Sequence, residues 1–227
     1  MTTKSRFVAI VGGSGCGKSW LSHRLQEHFR RRASRVSLDD FYRDRAHLSP
    51  ARREALNFDH PNAIDWERFQ KWILAARANR PARLPRYDFK THTRETENAP
   101  WNPTPLVVVE GLWLLWRPAV RRLFDFTVFI DCPGEVRLQR REARDLIERA
   151  RTRISVRRQF NEIVAPMHET YVEPQMLWAD LVLSHPLGEA DVYQVAARLR
   201  DLLSPTITSH PSARGVKENK SGRVCML

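Results

Sequence analysis

Cysteine is scarce in this sequence, and the few cysteines present are far apart. The 227 residues contain three, at Cys16, Cys132 and Cys225, and no two of them form a CxxC pair. This spacing predicts neither a disulfide framework nor a zinc site, and it suits a reduced compartment. Cys225 is third from the end of the chain, whereas prenylation requires the fourth position, so no lipid anchor is expected.

Long apolar runs are also absent. The N-terminal region has only the stretch from Phe7 to Val11 before Gly12, which is too short for the core of a signal peptide or for a membrane span. We therefore expect a cytoplasmic protein that has no membrane partner.

Acidic residues are outnumbered by basic ones. The chain has 38 lysines and arginines against 26 aspartates and glutamates, a formal net charge of +12. Such a balance indicates an anionic partner, and a phosphorylated nucleotide satisfies it as readily as nucleic acid. Hydrophobic residues make up 42% of the chain, which is typical of a folded protein, and the length predicts one well-buried domain.

Short apolar runs and amphipathic segments alternate along the chain. Strands are predicted at residues 6–11, 34–38, 106–109, 126–130 and 181–184. Helices are predicted from Ser19, behind Asp65 as an N-cap, over 133–151, over 154–169 and along a final apolar stripe that ends at Leu203. The alternation predicts an α/β fold, a doubly wound parallel sheet of about five strands with helices on both faces and ligands at the carboxyl ends of the strands.

Two segments differ in character from this core. Residues 42–104 are irregular and interrupted by prolines, which indicates an insertion over an active site. Residues 204–227 are rich in Ser, Pro, Gly and Lys without periodicity, a composition typical of a disordered tail.

Residues 12–19 match the phosphate-binding pattern GxxxxGK[ST], between a predicted strand and a predicted helix. The glycines let backbone N–H groups converge on phosphate oxygens, Lys18 reaches the β- and γ-phosphates, and the Ser19 hydroxyl ligates Mg²⁺. The pattern favours ATP or GTP with Mg²⁺ as cofactors over a glycine turn that holds no ligand. The predicted nucleotide-binding residues are Gly12, Gly13, Ser14, Gly15, Cys16, Gly17, Lys18 and Ser19.

Two carboxylates follow predicted strands. Asp39 comes directly after the second strand, where a carboxylate either accepts a hydroxyl proton or caps the next helix. Glu110 ends an otherwise apolar strand, and a buried carboxylate there needs a cation, a metal-bound water or backbone amides as its partner. Together with Ser19, these two residues form the predicted metal site.

Four further segments, taken with the loop, resemble the uridine kinase (uridine-cytidine kinase) family of P-loop kinases. They are Ser37-Leu38-Asp39-Asp40-Phe41-Tyr42-Arg43, Asn57-Phe58-Asp59-His60-Pro61, Tyr87-Asp88-Phe89 with His92 and Arg94, and Arg144-Asp145 with Glu148, Arg149 and Arg151. The resemblance covers about residues 6–184, in the family's order. It departs at Ala150, where relatives usually have glycine between two arginines of the lid.

This resemblance implies a kinase that transfers the γ-phosphate of ATP or GTP to the 5′-hydroxyl of uridine or cytidine. The kinase domain would span 1–203, with a nucleoside-binding insertion at 42–104 and a lid region at 141–160. Catalytic roles are implied for Asp39 and Lys18, with Arg144 and Arg149 at the transferring phosphoryl group. Nucleoside-binding roles are implied for Phe58, Asp59, Tyr87, Phe89, His92, Arg141, Arg151 and Gln159. A homotetramer is also suggested by the resemblance.

Two other functions stay open at this point. A kinase of another small hydroxyl compound, such as pantothenate, ribulose phosphate or nicotinamide riboside, would share the core, although the segments 57–61 and 87–92 argue against it. A basic ATPase that binds nucleic acid fits the net charge, but the sequence lacks a stripe of interleaved aromatic and basic residues, and no nucleic-acid partner is expected. Locally, 57–61 also suits an ordinary Asx turn, and each lid arginine suits a solvated helix face.

Overall fold

The chain folds around a parallel sheet in its computed structural model, which describes residues 4–95, 99–148 and 151–204. Three of the predictions fall on other residues: the phosphoryl contact of Arg149, the departure at Ala150, and the tail beyond Ser204. They lie outside the described residues.

The strands correspond closely to the predicted apolar runs, with several short additions in the insertion. They are β1 (Arg6–Gly12), β2 (Ala33–Ser37), β3 (Ala82–Leu84), β4 (Tyr87–Asp88), β5 (Thr93–Arg94), β6 (Ala99–Trp101), β7 (Leu106–Gly111), β8 (Phe126–Asp131) and β9 (Leu181–Ser184).

The helices likewise follow the amphipathic segments. They are α1 (Lys18–Phe29), α2 (Pro50–Glu54), α3 (Trp66–Arg77), α4 (Pro118–Arg121), α5 (Gly134–Glu148), α6 (Arg153–Gln159), α7 (Ala165–Met167) and α8 (Glu189–Leu203). Wider π-helical turns at Phe160–Val164 and His168–Val172 flank α7, and a 3-10 segment follows at Glu173–Trp178.

Five strands form one parallel sheet in the order β2, β7, β1, β8, β9. The predicted doubly wound sheet is therefore confirmed. The chain passes from β1 to one side of the sheet and later returns to the other side, so the winding reverses beside β1, the position where such sheets bind ligands. Glu110 on β7 lies opposite both Ile10 on β1 and Ser37 on β2, which brings three strand ends side by side.

Helices cover both faces of this sheet, and its central strands β1 and β7 are mostly apolar and buried along nearly their whole length. On one face, Phe7 of β1 belongs to a core with Phe69 and Trp72 of α3. On the other face, Val8 and Ile10 share a core with buried residues of α1 and α8. Successive residues of β1 thus point to opposite cores, and the strand is held rigidly beneath the loop that follows it.

The insertion is more regular than predicted. Besides α3, whose predicted N-cap Asp65 accepts a hydrogen bond from the Arg68 amide at 3.2 Å, it contains two antiparallel ribbons, β3 with β6 and β4 with β5. Strands of two or three residues are too short for a period-two pattern to show in the sequence. Within the described ranges, no helix has the length and apolarity needed to cross a membrane.

Candidate active site

The glycine-rich loop joins β1 to α1. Gly15 and Gly17 have φ values of 83° and 108°, in the left-handed region that glycine enters without strain. A Cβ at Gly15 would also lie 2.7 Å from the carbonyl oxygen of Arg137, so the tight turn needs glycine there. The Lys18 ammonium donates to the carbonyls of Gly12 and Gly13, both at 2.9 Å, which keeps its charge over the loop.

Glu110 lies at the carboxyl end of β7, almost fully buried with 5% of its surface exposed. The Ser19 hydroxyl contacts both of its carboxylate oxygens, at 2.9 and 3.0 Å. The Arg35 guanidinium donates to Oε1 at 3.1 Å. A cation and a hydroxyl therefore compensate this carboxylate, and the sequence did not identify Arg35 as that cation.

Asp39 follows β2 in a short 3-10 turn, Leu38–Phe41. The cap of this turn is the Ser37 hydroxyl, which accepts from the Asp39 amide at 3.2 Å, so the capping role considered for Asp39 belongs to Ser37. Burial and the charge of Asp39 raise the pKa of the adjacent Asp40 to about 6, and the positive charge of Arg35 opposes that shift.

The oxygen donors at these strand ends suit Mg²⁺. The Ser19 hydroxyl and the carboxylates of Asp39 and Glu110 line the same region, and hard oxygen ligands are those that Mg²⁺ prefers. In the described part of the chain, no group of three or more His, Cys, Asp or Glu residues forms a metal cage.

Two clefts meet at Asp39. The first, which we call the loop cleft, has a volume of about 750 Å³. It is lined by Ser14, Gly15, Gly17, Lys18, Ser19, Trp20, Asp39, Glu110, Leu112, Arg140, Arg141 and Arg144. The second, the aromatic cleft, has a volume of about 550 Å³. It is lined by Ser14, Asp39, Tyr42, Phe58, Asp59, Tyr87, Phe89, His92, Leu112, Arg141, Arg144, Arg151 and Gln159.

Aromatic rings form the walls of the aromatic cleft. Phe58 and His92 stack with centroids 4.2 Å apart and planes 13° from parallel, while Tyr87 packs edge-on against Phe89 at 5.3 Å. Tyr42, which the sequence analysis quoted without a role, packs on Phe58 and Tyr87. Its hydroxyl donates to the Phe58 carbonyl at 3.0 Å, and this bond ties the loop carrying Phe58 to the end of β2.

The Tyr87 hydroxyl differs from that of Tyr42. It is buried, and it has no hydrogen-bond partner among the residues that the structure describes. Burial raises the pKa of Tyr87 to about 12, so the group stays protonated and can donate. An unpaired buried hydroxyl is costly, and one that lines a cleft is a typical contact for a polar ligand.

Arg141 connects the two clefts. It is 5% exposed, so it is not part of a solvated helix face. Its guanidinium donates to the Ser14 hydroxyl and to the Gln159 side chain, both at 3.2 Å, and lies 3.8 Å from the Asp59 carboxylate. The Asp59 amide in turn donates to the Asn57 side chain at 2.9 Å, an Asx turn that leaves the Asp59 carboxylate facing Arg141.

Several arginines of this region surround the carboxylate of Asp145. Its carboxylate is fully buried and lies 2.8 Å from two nitrogens of Arg144. Arg141 and Arg151 approach the same group at 3.7 and 3.8 Å. Arg151 also donates to the Gln159 side chain at 2.6 Å. These arginines therefore share one buried negative charge.

Comparison with known proteins identifies the family. A family profile described as "Phosphoribulokinase / Uridine kinase family" matches residues 7–191. The chain is 32% identical over 210 residues to the uridine kinase of Streptococcus equi subsp. zooepidemicus, which covers 92% of this chain and 98% of the relative. The chain belongs to the phosphoribulokinase and uridine kinase family.

Solved structures of other kinases share the fold of this family member. Phosphoribulokinase from Rhodobacter spheroides superposes with a TM-score of 0.61 at 15% identity, over 81% of this chain and 71% of that one. D-glycerate 3-kinase from Cryptococcus neoformans gives a TM-score of 0.54 at 19% identity, over 74% and 79%. At these identities, the two structures show that the fold is shared and say nothing of which acceptor this chain uses.

The structure brings nearly all the residues predicted for this family's site to the two clefts. Arg149 lies outside the described residues. Gly12, Gly13 and Cys16 are buried within the loop and line neither cleft. Sequence reasoning missed Arg35, Tyr42 and Asp145. Tyr42 and Asp145 lie inside motifs that the sequence analysis quoted. Arg35 lies outside those motifs, and its position two residues before Ser37, on the same face of β2, was the one sequence feature that could have indicated its contact.

Proposed function

We propose that this chain transfers the γ-phosphoryl group of ATP or GTP to the 5′-hydroxyl of uridine or cytidine. The observation that carries the proposal is that Asp39, Arg141 and Arg144 line both clefts. A triphosphate bound along the loop would end beside Asp39, and so would the hydroxyl of an acceptor in the aromatic cleft. Such proximity is the main requirement of phosphoryl transfer.

The chemistry of the aromatic cleft supports a pyrimidine ribonucleoside as the acceptor. Flat apolar walls at Phe58 and Phe89 suit a base, the buried Tyr87 hydroxyl suits its polar edge, and the Asp59 carboxylate suits ribose hydroxyls. Uridine kinase is also the name of the relative that is 32% identical to the chain. Because Asp59 needs hydroxyl donors, the site would favour ribose over deoxyribose.

The proposed reaction assigns each polar group a task. The Asp39 carboxylate accepts the proton of the 5′-hydroxyl while the hydroxyl oxygen forms a bond to the γ-phosphorus. The bond between the γ-phosphorus and the β–γ bridging oxygen breaks, and the nucleoside diphosphate leaves. Lys18, Arg144 and Arg149 would stabilise the charge on the transferring group. Mg²⁺, when bound, would neutralise charge on the β- and γ-phosphates, and Ser19, Asp39 and Glu110 would hold the ion with its waters.

A panel of acceptors tests the proposal. The purified chain would be incubated with ATP or GTP, Mg²⁺ and one acceptor at a time, and the nucleoside diphosphate released would be measured. Uridine, cytidine and deoxyuridine would be compared with pantothenate, ribulose 5-phosphate, nicotinamide riboside and D-glycerate. We expect turnover of uridine or cytidine, and weaker turnover of deoxyuridine.

Two results would contradict the proposal. Turnover of another acceptor, with none of uridine or cytidine, would replace the pyrimidine assignment while keeping the kinase reaction. Hydrolysis of ATP that rises with added RNA or DNA and falls steeply with salt would favour the nucleic-acid-binding alternative instead.

A further inference from the structure

Arg35 places a permanent positive charge beside the carboxylate that faces the loop cleft. Its guanidinium donates to Glu110 Oε1 at 3.1 Å, the same oxygen that the Ser19 hydroxyl contacts at 2.9 Å. The guanidinium group of arginine is effectively always protonated in proteins. Glu110 is therefore already paired with a cation of the protein itself.

The position of Arg35 in the sheet explains the contact. Among the strands that the structure describes, β2 lies at the edge of the sheet and pairs with β7 alone. Arg35 and Ser37 lie two residues apart, so their side chains point to the same face of β2, and Ser37 is the register partner of Glu110. The Arg35 side chain is 28% exposed against 7% for Glu110, so it reaches from the sheet edge toward a buried charge.

We propose that Arg35 is a resident counter-cation of Glu110 that competes with Mg²⁺ for the same carboxylate, and so lowers the dependence of nucleotide binding on the metal. This inference rests on the proposed use of ATP or GTP in the loop cleft. A carboxylate that partners an arginine is a weaker partner for a metal-bound water, because two cations then share one negative charge. The same arginine also attracts the triphosphate when no metal is present.

The size of the effect follows from Coulomb's law. A unit charge and a divalent ion separated by roughly 5 Å in a water-like dielectric repel each other enough to change the affinity on the order of tenfold. Coupling between two ligands is reciprocal. The ratio of the ATP dissociation constant in EDTA to that in saturating Mg²⁺ therefore measures how much the metal contributes.

The experiment measures this ratio by calorimetry without a nucleoside, so that turnover plays no part. Wild type would be compared with Arg35→Gln, which removes the charge but keeps a donor amide, and with Arg35→Met, which removes both. Arg35→Lys keeps a charge. Arg24→Met is the matched control, because Arg24 pairs with Glu27 and Glu189 on the protein surface.

We expect the ratio to rise about tenfold in the Gln and Met variants and to stay near the wild-type value in the Lys and control variants. An unchanged or smaller ratio in both neutral variants, with ATP still bound, would overturn the role of Arg35 and leave the proposed function intact. If wild type binds neither ATP nor GTP, in EDTA or in Mg²⁺, the donor assignment itself is wrong and the role of Arg35 falls with it; if it binds GTP alone, the same ratio is measured with GTP. Should the Met variant not fold, the Gln variant alone decides.

Discussion

Removal of the Tyr87 hydroxyl should stabilise the fold and weaken nucleoside binding. The hydroxyl is buried and lacks a partner among the described residues, so Tyr87→Phe removes an unsatisfied polar group without breaking a hydrogen bond of the protein. Leaving such a group buried costs about 1–3 kcal/mol. We expect the free energy of unfolding to rise by about 1 kcal/mol.

The same substitution removes the donor proposed to contact the base. A neutral hydrogen bond contributes about 1–1.5 kcal/mol to binding, which is close to a tenfold change in KM for uridine or cytidine. The KM for ATP should stay unchanged, because Tyr87 lines the aromatic cleft and not the loop cleft. Stability and nucleoside affinity are thus expected to change in opposite directions.

Tyr42→Phe is the matched control. The Tyr42 hydroxyl donates to the Phe58 carbonyl at 3.0 Å, so its removal leaves a carbonyl without that donor and should lower stability by about 1 kcal/mol. Urea unfolding followed by far-UV circular dichroism gives the two stabilities, and steady-state kinetics gives the KM values. Loss of stability in Tyr87→Phe, or an unchanged KM for both nucleosides, would refute the reasoning.

Three further perturbations test other parts of the site and fold. Asp39→Asn should lower turnover by about 10²–10⁴-fold with nucleotide affinity nearly intact, and turnover close to wild type would disprove its role as the base. Asp145→Asn should lower kcat by about tenfold or more because its arginines lose their anchor, whereas Glu142→Gln on the same helix, whose partner is Arg157, should not. Burial lowers the pKa of His168 to about 4, with help from two nearby cations; the unfolded chain then binds the proton first, so stability should fall as pH drops from about 6.5 to 4, by about 3 kcal/mol. His168→Gln should flatten that slope in urea titrations, and an identical slope would contradict this account.

The sheet and the strand-end residues were predictable because both follow from local patterns. A continuous apolar run predicts a strand buried on two faces, and parallel strands end at one edge of the sheet. Glu110 stands directly after such a run, and Asp39 follows a short segment in which Val36 and Leu38 alternate with polar residues, so their meeting beside the loop required no knowledge of tertiary contacts. The same logic located the loop itself, since its glycines stand between a strand and a helix.

The partners of those residues were not predictable, because they depend on which strands are neighbours. Arg35 contacts Glu110 only because β2 pairs with β7, although 75 residues separate the two side chains. An arginine in an edge strand gives the same sequence signal whether it faces solvent or a buried carboxylate. The ribbons of the insertion were missed for a different reason, since strands of two or three residues are too short to show a periodicity.

The positions of the arginines of α5 follow partly from their spacing along the helix and partly from tertiary contacts. Arg141 and Arg144 lie three residues apart on one helix face, and Asp145 is four residues beyond Arg141, so spacing alone brings the three side chains near one another. Spacing does not make Asp145 fully buried. Arg151 also contacts Asp145. Its amide donates to the Asp145 carbonyl at 3.2 Å, and its guanidinium approaches the Asp145 carboxylate. A surface pair on a helix is worth a few tenths of a kcal/mol, whereas breaking a buried one costs about 3–5 kcal/mol. The contacts of Arg151 therefore help to convert a common surface motif into an arginine cluster around a buried carboxylate between the two clefts.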